Sequence, residues 1–233
     1  MTLHITIQKE ILSLIIVAAF IIAMCFVINR ALKKADPLAR PKGLVLLAIW
    51  FVDLIDNQVL TIVQKRFVKN LGPYIGTLCV FLFLSNILGL FGFNPPTMNY
   101  SVTLTMALIT WIMIQFNAIR DNGIGSYIHG FFEPIVPFVI PNIFGKVAPL
   151  ISMSIRLFGN ILSGSIIMSV IYSGCLFLSN LILGFFGLSG FNFVGVIVAP
   201  FFHAYFDVFA GFIQMFIFIS LTMVFISNEL KEE

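Results

Sequence analysis

The apolar residues of this chain fall in long unbroken runs, not in the strict alternation of a half-buried strand. Ile11 to Asn29 is an uncharged run that matches the roughly 20 residues needed to cross a hydrocarbon core about 30 Å thick. Pro73 to Asn94 and Ser101 to Ala118 are two further runs of spanning length. A fourth starts near Lys146 and reaches Leu178; about 30 residues rise about 45 Å as a helix, so it must tilt or lie partly flat. The fifth, Phe191 to Ser227, is also too long to stand upright, and Pro200 is positioned to break or kink it.

The stretch from Leu44 to Gln64 departs from this pattern. It is apolar but carries Asp53, Asp56, Asn57 and Gln58, with Lys65, Arg66 and Lys69 behind it. Asp53, Asp56 and Asn57 share one helical face by their spacing. An interfacial amphipathic helix is expected there rather than a span. Its polar face is either simply solvated or the mouth of a channel.

The connections orient the spans. Residues 30–42, RALKKADPLARPK, carry five basic residues against Asp36; the positive-inside rule puts this loop in the cytoplasm and the N-terminus outside. Asn94-Pro95-Pro96 reads as an outer turn, as do Gly184, Gly187 and Gly190. Arg120 to Lys146 is a second cytoplasmic connection, in which Pro134, Pro137 and Pro141 argue against regular helix and His129 is expected to be solvent-exposed. The C-terminal NELKEE is cytoplasmic on this count of five spans.

The expected organisation is therefore a single all-α polytopic membrane domain over 1–233. Residues 1–43 form the first span and basic loop, and 44–70 the interfacial helix. Spans two and three occupy 71–119, a surface loop 120–146, and a tilted helical hairpin 147–233.

Composition supports the membrane reading. Of 233 residues 60% are hydrophobic and 10% charged, with mean hydropathy +1.07; a soluble domain averages about 25% charged. A barrel would show short alternating segments, which are absent. The net charge of +3 points to no nucleic acid, because the basic residues cluster beside spans. Cys25, Cys79 and Cys175 lie in apolar segments without ligand spacing and read as small buried hydrophobes. No cleavable signal is evident.

One stretch carries the candidate chemistry. ISMSIRLFGNILSGSIIMSVIY, residues 151–172, contains a single charge, Arg156, and no other formal charge follows until Asp207. Arginine stays protonated, and holding it in a bilayer costs several kcal/mol, from about 3 upward. Arg156, Asn160 and Gly164 recur every four residues, extended by Ser152 and Ser163. On the next helix His203, Asp207, Gly211 and Gln214 form a second stripe. Two adjacent polar stripes imply a hydrated seam, because intramembrane ionisable groups commonly mark ion pathways. Structural roles compete at every position. Arg156 can pair with Asp207 or a backbone carbonyl, and Asp207 can be only a counter-ion. Asn160 and Gln214 can be helix glue; His203 and Ser165 can simply pack. Ser85, Asn86 and Gly89 share a face of the second span and fit packing or ion contact. No phosphate loop, HExxH or GxSxG appears, and histidine is too sparse for a metal cluster.

The residues SMSIRLFGNILSG at 152–164 resemble the hallmark of F-type ATP synthase subunit a, the stator channel beside the rotor ring. FDVFAGFIQMFIFISLTMVFIS at 206–227 is similar to that family's closing helix, FLFLSNILGL at 81–90 to its second-span motif, and GFFEP at 130–134 to its following loop. The resemblance covers most of the chain in order. It implies a non-catalytic proton-translocating subunit without cofactors, with Arg156 as the essential arginine and Asn160 and Gln214 as the conserved amides. Asp207 takes the acidic position seven residues before Gln214. The implied partners are a ring of c subunits, peripheral-stalk b subunits and the rest of the ATP synthase. The short chain without a transit peptide points to a bacterial plasma membrane, with an organelle-encoded version as the alternative. Two departures stand out. Ser165 replaces a frequent Glu or His, which shifts the outer proton path onto Asp207 and His203. Lys146 stands where an acid is common, and Leu150 replaces the usual proline, with Pro149 beside it. The inner path has only Asp53 and Asp56 as candidates.

Two other classes compete. A free-standing anion transporter would also bury an arginine, but such folds commonly carry internal repeats, and none is visible. A plain membrane anchor would have no use for the charge. Co-purification with a ring of small hairpin subunits separates the first reading from both.

Overall fold

The computed structural model describes residues 9–35, 40–133, 135–183 and 191–230, without the side chain of Val136. The turn expected at Gly184, Gly187 and Gly190 lies outside the described residues. So do Asp36, Pro134, residues 1–8 and the last three residues of the C-terminal tail. Every regular element among the described residues is helical. Helices α1 (Lys9–Lys34), α2 (Leu44–Ile62), α3 (Val68–Ile87) and α4 (Tyr100–Asn122) are followed by the short α5 (Ile124–His129). Then come α6 (Val139–Leu183), α7 (Phe193–His203) and α8 (Gly211–Glu229), the last two joined by a π-helical segment, Ala204–Ala210. By length and composition six helical stretches can cross a membrane, Leu44–Ile62 among them. The sequence pattern gives five spans plus an interfacial helix; helix length alone does not separate these for α2.

The long helices are longer than the pattern indicates. α6 has 45 residues, about 68 Å at 1.5 Å per residue. It starts at Val139, not near Lys146, because Pro141 falls in the first turn, where a missing N–H costs no hydrogen bond. Pro149 lies inside the helix. Within 120–146, residues Ile124–His129 are also helical. In the last helical stretch Pro200 sits inside α7, and the irregular segment follows it at 204–210. Such a widened turn re-phases the face beyond it.

α8 is the central element. It packs on α3 and α4, and Phe218, Met223 and Ile226 are buried in one core with Leu71, Ile75, Leu82 and Ile114. α3 and α8 run antiparallel, since Asn86 meets Gly211 and Cys79 meets Met215. α1 sits at the edge and buries only Ser13 and Val17. Cys25 is accordingly exposed, correcting the expectation that all three cysteines are buried; Cys175 is buried and Cys79 half-buried. His129 is exposed as expected, and its Nδ1 pairs with Glu133 at 3.0 Å.

Gly211 permits the closest approach of α3 to α8. A Cβ there would lie 2.8 Å from Asn86 Cβ, and the Asn86 amide donates to the Gly211 carbonyl at 3.0 Å. Gly211→Ala is expected to destabilise the chain by about 1–3 kcal/mol, the usual cost of overpacking. Gly174, with open space around its Cβ position, is the control. Thermal unfolding of the two alanine variants in detergent should differ in that sense; equal midpoints would contradict the close approach.

Candidate functional site

α6 presents two different sides. Met153, Ser154 and Leu157 are buried, whereas Ser152, Ile155, Arg156 and Ser163 are exposed. Arg156 thus points away from the bundle. Among the described residues its guanidinium makes no hydrogen bond or ion pair, so the pairing with Asp207 left open by the sequence does not form. An unpaired guanidinium open to lipid would carry the full penalty of an intramembrane charge. An acidic group set against it would offset part of that penalty. Asn160, one turn on, is half-buried.

α6 has different neighbours along its length. Its first half packs antiparallel to α4: Tyr100 meets the Phe158 ring edge-on at 5.5 Å, and Trp111 donates to the Lys146 carbonyl at 2.6 Å. Its far end is clasped to the start of α7. Asn192 caps that helix by accepting from Gly195 N–H at 2.9 Å, and its amide donates to the Tyr172 carbonyl at 3.3 Å. Ser179 Oγ donates to Asn192 and accepts from Val194 N–H at 3.0 Å. The expected neighbour relation between the last two long helices therefore holds chiefly for α7, while α8 swings towards α3 and α4.

This clasp frames a cavity of about 610 Å³ lined by Tyr172, Asn192, Ala199, His203, Ala204 and Leu90 among others. His203 and Asp207 meet at its edge: Nδ1 lies 2.6 Å from the Asp207 carboxylate. The Tyr172 hydroxyl lies 2.8 Å from His203 Nε2. Asp207 in turn lies against Gly89, in the 3-10 turn Leu88–Phe91 that follows α3, where an added Cβ would be 3.3 Å from the carboxyl carbon. The absent side chain leaves the carboxylate room between that turn and the π segment.

The remaining stripe residues separate. Gln214 is 5% exposed; among the described residues its amide nitrogen has no partner, and Ser85 Oγ is also buried without one. Burying such groups unpaired costs about 1–3 kcal/mol each. Ser165 Oγ donates to the Leu162 carbonyl at 2.8 Å, which engages it with its own helix. Gly164 packs against Phe206, bringing α6 to the π segment one turn beyond Asn160. On α2, Asp53, Asn57, Gln58 and Thr61 line a crevice of about 390 Å³. Asp56 is turned instead towards Gly72 of α3, so the two acids do not act on one opening.

Two groupings went unseen in the sequence. Tyr172 and His203 stand on different helices, and no spacing rule links them. The second grouping lies where α6 begins and α8 ends. Lys146 pairs there with Glu229, and its ammonium lies 5.2 Å from the Tyr127 ring centroid. Tyr127 donates to Gln115 at 2.6 Å. Burial, then the Glu229 charge, pushes the Tyr127 phenol up from its ordinary value. Asn122 donates to the Glu229 carbonyl at 2.7 Å. The groups of this clasp come from α4, α5, α6 and α8, too far apart in sequence for any local motif. Among the described residues no cluster of three or more metal-ligating side chains occurs.

Comparison with known proteins adds a family. A sequence model described as ATP synthase A chain matches residues 11–227. ATP synthase subunit a of Lysinibacillus sphaericus is 28% identical, over 98% of this chain and 94% of that protein. ATP synthase subunit a of Desulforamulus reducens is 28% identical over 76% of this chain, a stretch that covers 63% of the relative, less than two thirds of its length. A sodium ion specific ATP synthase subunit a from Propionigenium modestum is 32% identical over 78% of this chain and 61% of that protein.

Proposed function

The chain belongs to the ATP synthase A chain family, and from that premise we propose that it couples ion flow to rotation through Arg156. It is the non-catalytic, ion-translocating subunit of the membrane sector. In this reading its partner is a ring of hairpin c subunits, each with one mid-membrane carboxylate. The peripheral-stalk b subunits hold it against that ring. The basic loop at 30–42 faces the cytoplasm by its charge, which puts the N-terminus outside and the C-terminus inside.

The observation that carries this reading is the outward-facing Arg156, unpaired among the described residues, in a stretch without other charge. A ring carboxylate facing lipid is driven to its neutral form by desolvation. Opposite Arg156 it is favoured as the anion; at about 4 Å the attraction is about 4 kcal/mol with an effective dielectric of 20. Each ring subunit therefore loses a proton on reaching Arg156 and regains one on leaving. When the two exchanges open to opposite sides of the membrane, ion flow turns the ring. The fixed positive charge also repels a proton passing directly between the two half-channels.

The outer half-channel runs through the cavity beside Tyr172 to His203 and Asp207, on the side away from the basic loop. Ser165 contributes less, because its hydroxyl is bonded within its helix. Asn160 and the buried amide of Gln214 orient Arg156 or water. The inner half-channel opens near the crevice at Asp53. A free-standing anion transporter remains the alternative, and one experiment separates the two. Membrane vesicles bearing the whole complex should take up protons on addition of ATP. Varying sodium in the same assay reveals whether the ion is H+ or Na+. ATP-independent anion uptake, with no ATP-driven ion uptake at any sodium concentration, would contradict the proposal.

A further inference from the structure

The outer path contains one contact that the proposed function does not need and the fold nevertheless builds. His203 has two ring nitrogens. Nδ1 is held 2.6 Å from the Asp207 carboxylate. An ionised carboxylate only accepts, so Nδ1 carries the hydrogen and Nε2 is left as an acceptor. The Tyr172 hydroxyl, 2.8 Å from Nε2, then donates to it. The ring is thereby closed at both nitrogens, although its edge faces a cavity of about 610 Å³.

We propose that Tyr172 is a positioning residue that sets how readily the outer path takes up a proton. It does so by occupying the one imidazole nitrogen that Asp207 leaves free. A proton arriving from the cavity must displace the Tyr172 hydroxyl before it binds Nε2. The contact is held from outside itself. Asn192 donates to the Tyr172 carbonyl and caps α7, the helix that bears His203. The titratable groups facing the imidazole are Tyr172 from α6 and Asp207 from the π segment. On the 3-10 turn after α3 the neighbouring positions are Gly89, which meets Asp207, and Leu90, which lines the cavity. No Lys, Arg or Glu pairs with His203 among the described residues.

This inference rests on the reading of His203 and Asp207 as the outer path. The test keeps the two failures apart. Whole enzyme in proteoliposomes is driven to make ATP by an acid step on the cavity side, and the rate is read against proton concentration there. Tyr172→Phe retains the ring but loses the donor. It should lower the half-saturating proton concentration by about fivefold, the worth of one net hydrogen bond, with a smaller change in maximal rate. A fluorinated tyrosine at 172 is a stronger donor and should shift half-saturation the other way. In a His203→Gln background Tyr172→Phe should shift nothing further.

Unchanged half-saturation in both Tyr172 variants, with His203→Gln impaired, would overturn the role of Tyr172 and leave the path standing. A loss of maximal rate without a shift would also overturn it, because that is what damaged packing produces. Wild-type curves for His203→Gln and Tyr172→Phe alike would overturn the path itself. Should Tyr172→Phe fail to assemble, the fluorinated residue still decides by the direction of its shift.

Discussion

Arg156→Lys is expected to abolish ATP-driven proton uptake in membrane vesicles while leaving the complex assembled. Lysine keeps a positive charge in water but differs in the two properties that matter here. A desolvated ammonium can give up its proton, whereas the guanidinium does not. A neutral amine would neither hold the ring carboxylate as an anion nor repel a proton crossing between the half-channels. The ammonium also lacks the planar fork that grips a carboxylate through two parallel hydrogen bonds. An attraction of about 4 kcal/mol corresponds to roughly a thousandfold in rate, so the expected loss reaches the background of the assay. Arg156 is exposed and bonded to nothing within the described chain. Its replacement should therefore leave the fold intact, and co-purification of the ring subunits checks this. Substantial coupled uptake by Arg156→Lys would show that the charge needs no permanence.

Asp207→Asn is expected to slow proton uptake on the cavity side strongly, by about a hundredfold or more for loss of one positioned proton-transfer group, again without loss of assembly. The amide has nearly the shape of the carboxylate, so the room at Gly89 still accommodates it. It cannot take the proton that His203 delivers, and its own N–H2 can face Nδ1 and force the other tautomer. Acid-driven ATP synthesis in vesicles measures the effect. Wild-type rates in Asp207→Asn would reduce Asp207 to a counter-ion for His203.

Some of this was legible in the residues and some was not. Arg156 was legible because a single charge in an apolar stretch needs no partner to be noticed. His203 and Asp207 were legible as one turn of a helix, and the structure joins them. The start of α6 was not, because proline reads as a helix breaker, yet Pro141 in a first turn costs nothing. The π segment at 204–210 was not, since the residues around it are apolar on nearly every side and its re-phasing has little pattern to disturb. The exposure of Cys25 was hidden because α1 is apolar on all sides and only its neighbours decide what it buries. Asp53 and Asp56 share a face on a helical wheel, but the glycine at 72 draws Asp56 to α3. Tyr172 was missed because its contact to His203 depends on how α6 and α7 are clasped through Ser179 and Asn192.

The central claim is that the Arg156 face of α6 lies against a moving carboxylate of the ring. Disulfide trapping tests it most directly. Cysteine is placed at Ser152 or Ser163, which flank Arg156 on its exposed side, after Cys25, Cys79 and Cys175 are replaced. A second cysteine is placed beside the ring carboxylate. Oxidation is expected to join the two subunits from both positions, and far less from a cysteine at exposed Ile22 on α1. Free reaction of both cysteines with a lipid-soluble maleimide, with no bond to the ring, would show Arg156 facing lipid and contradict the claim.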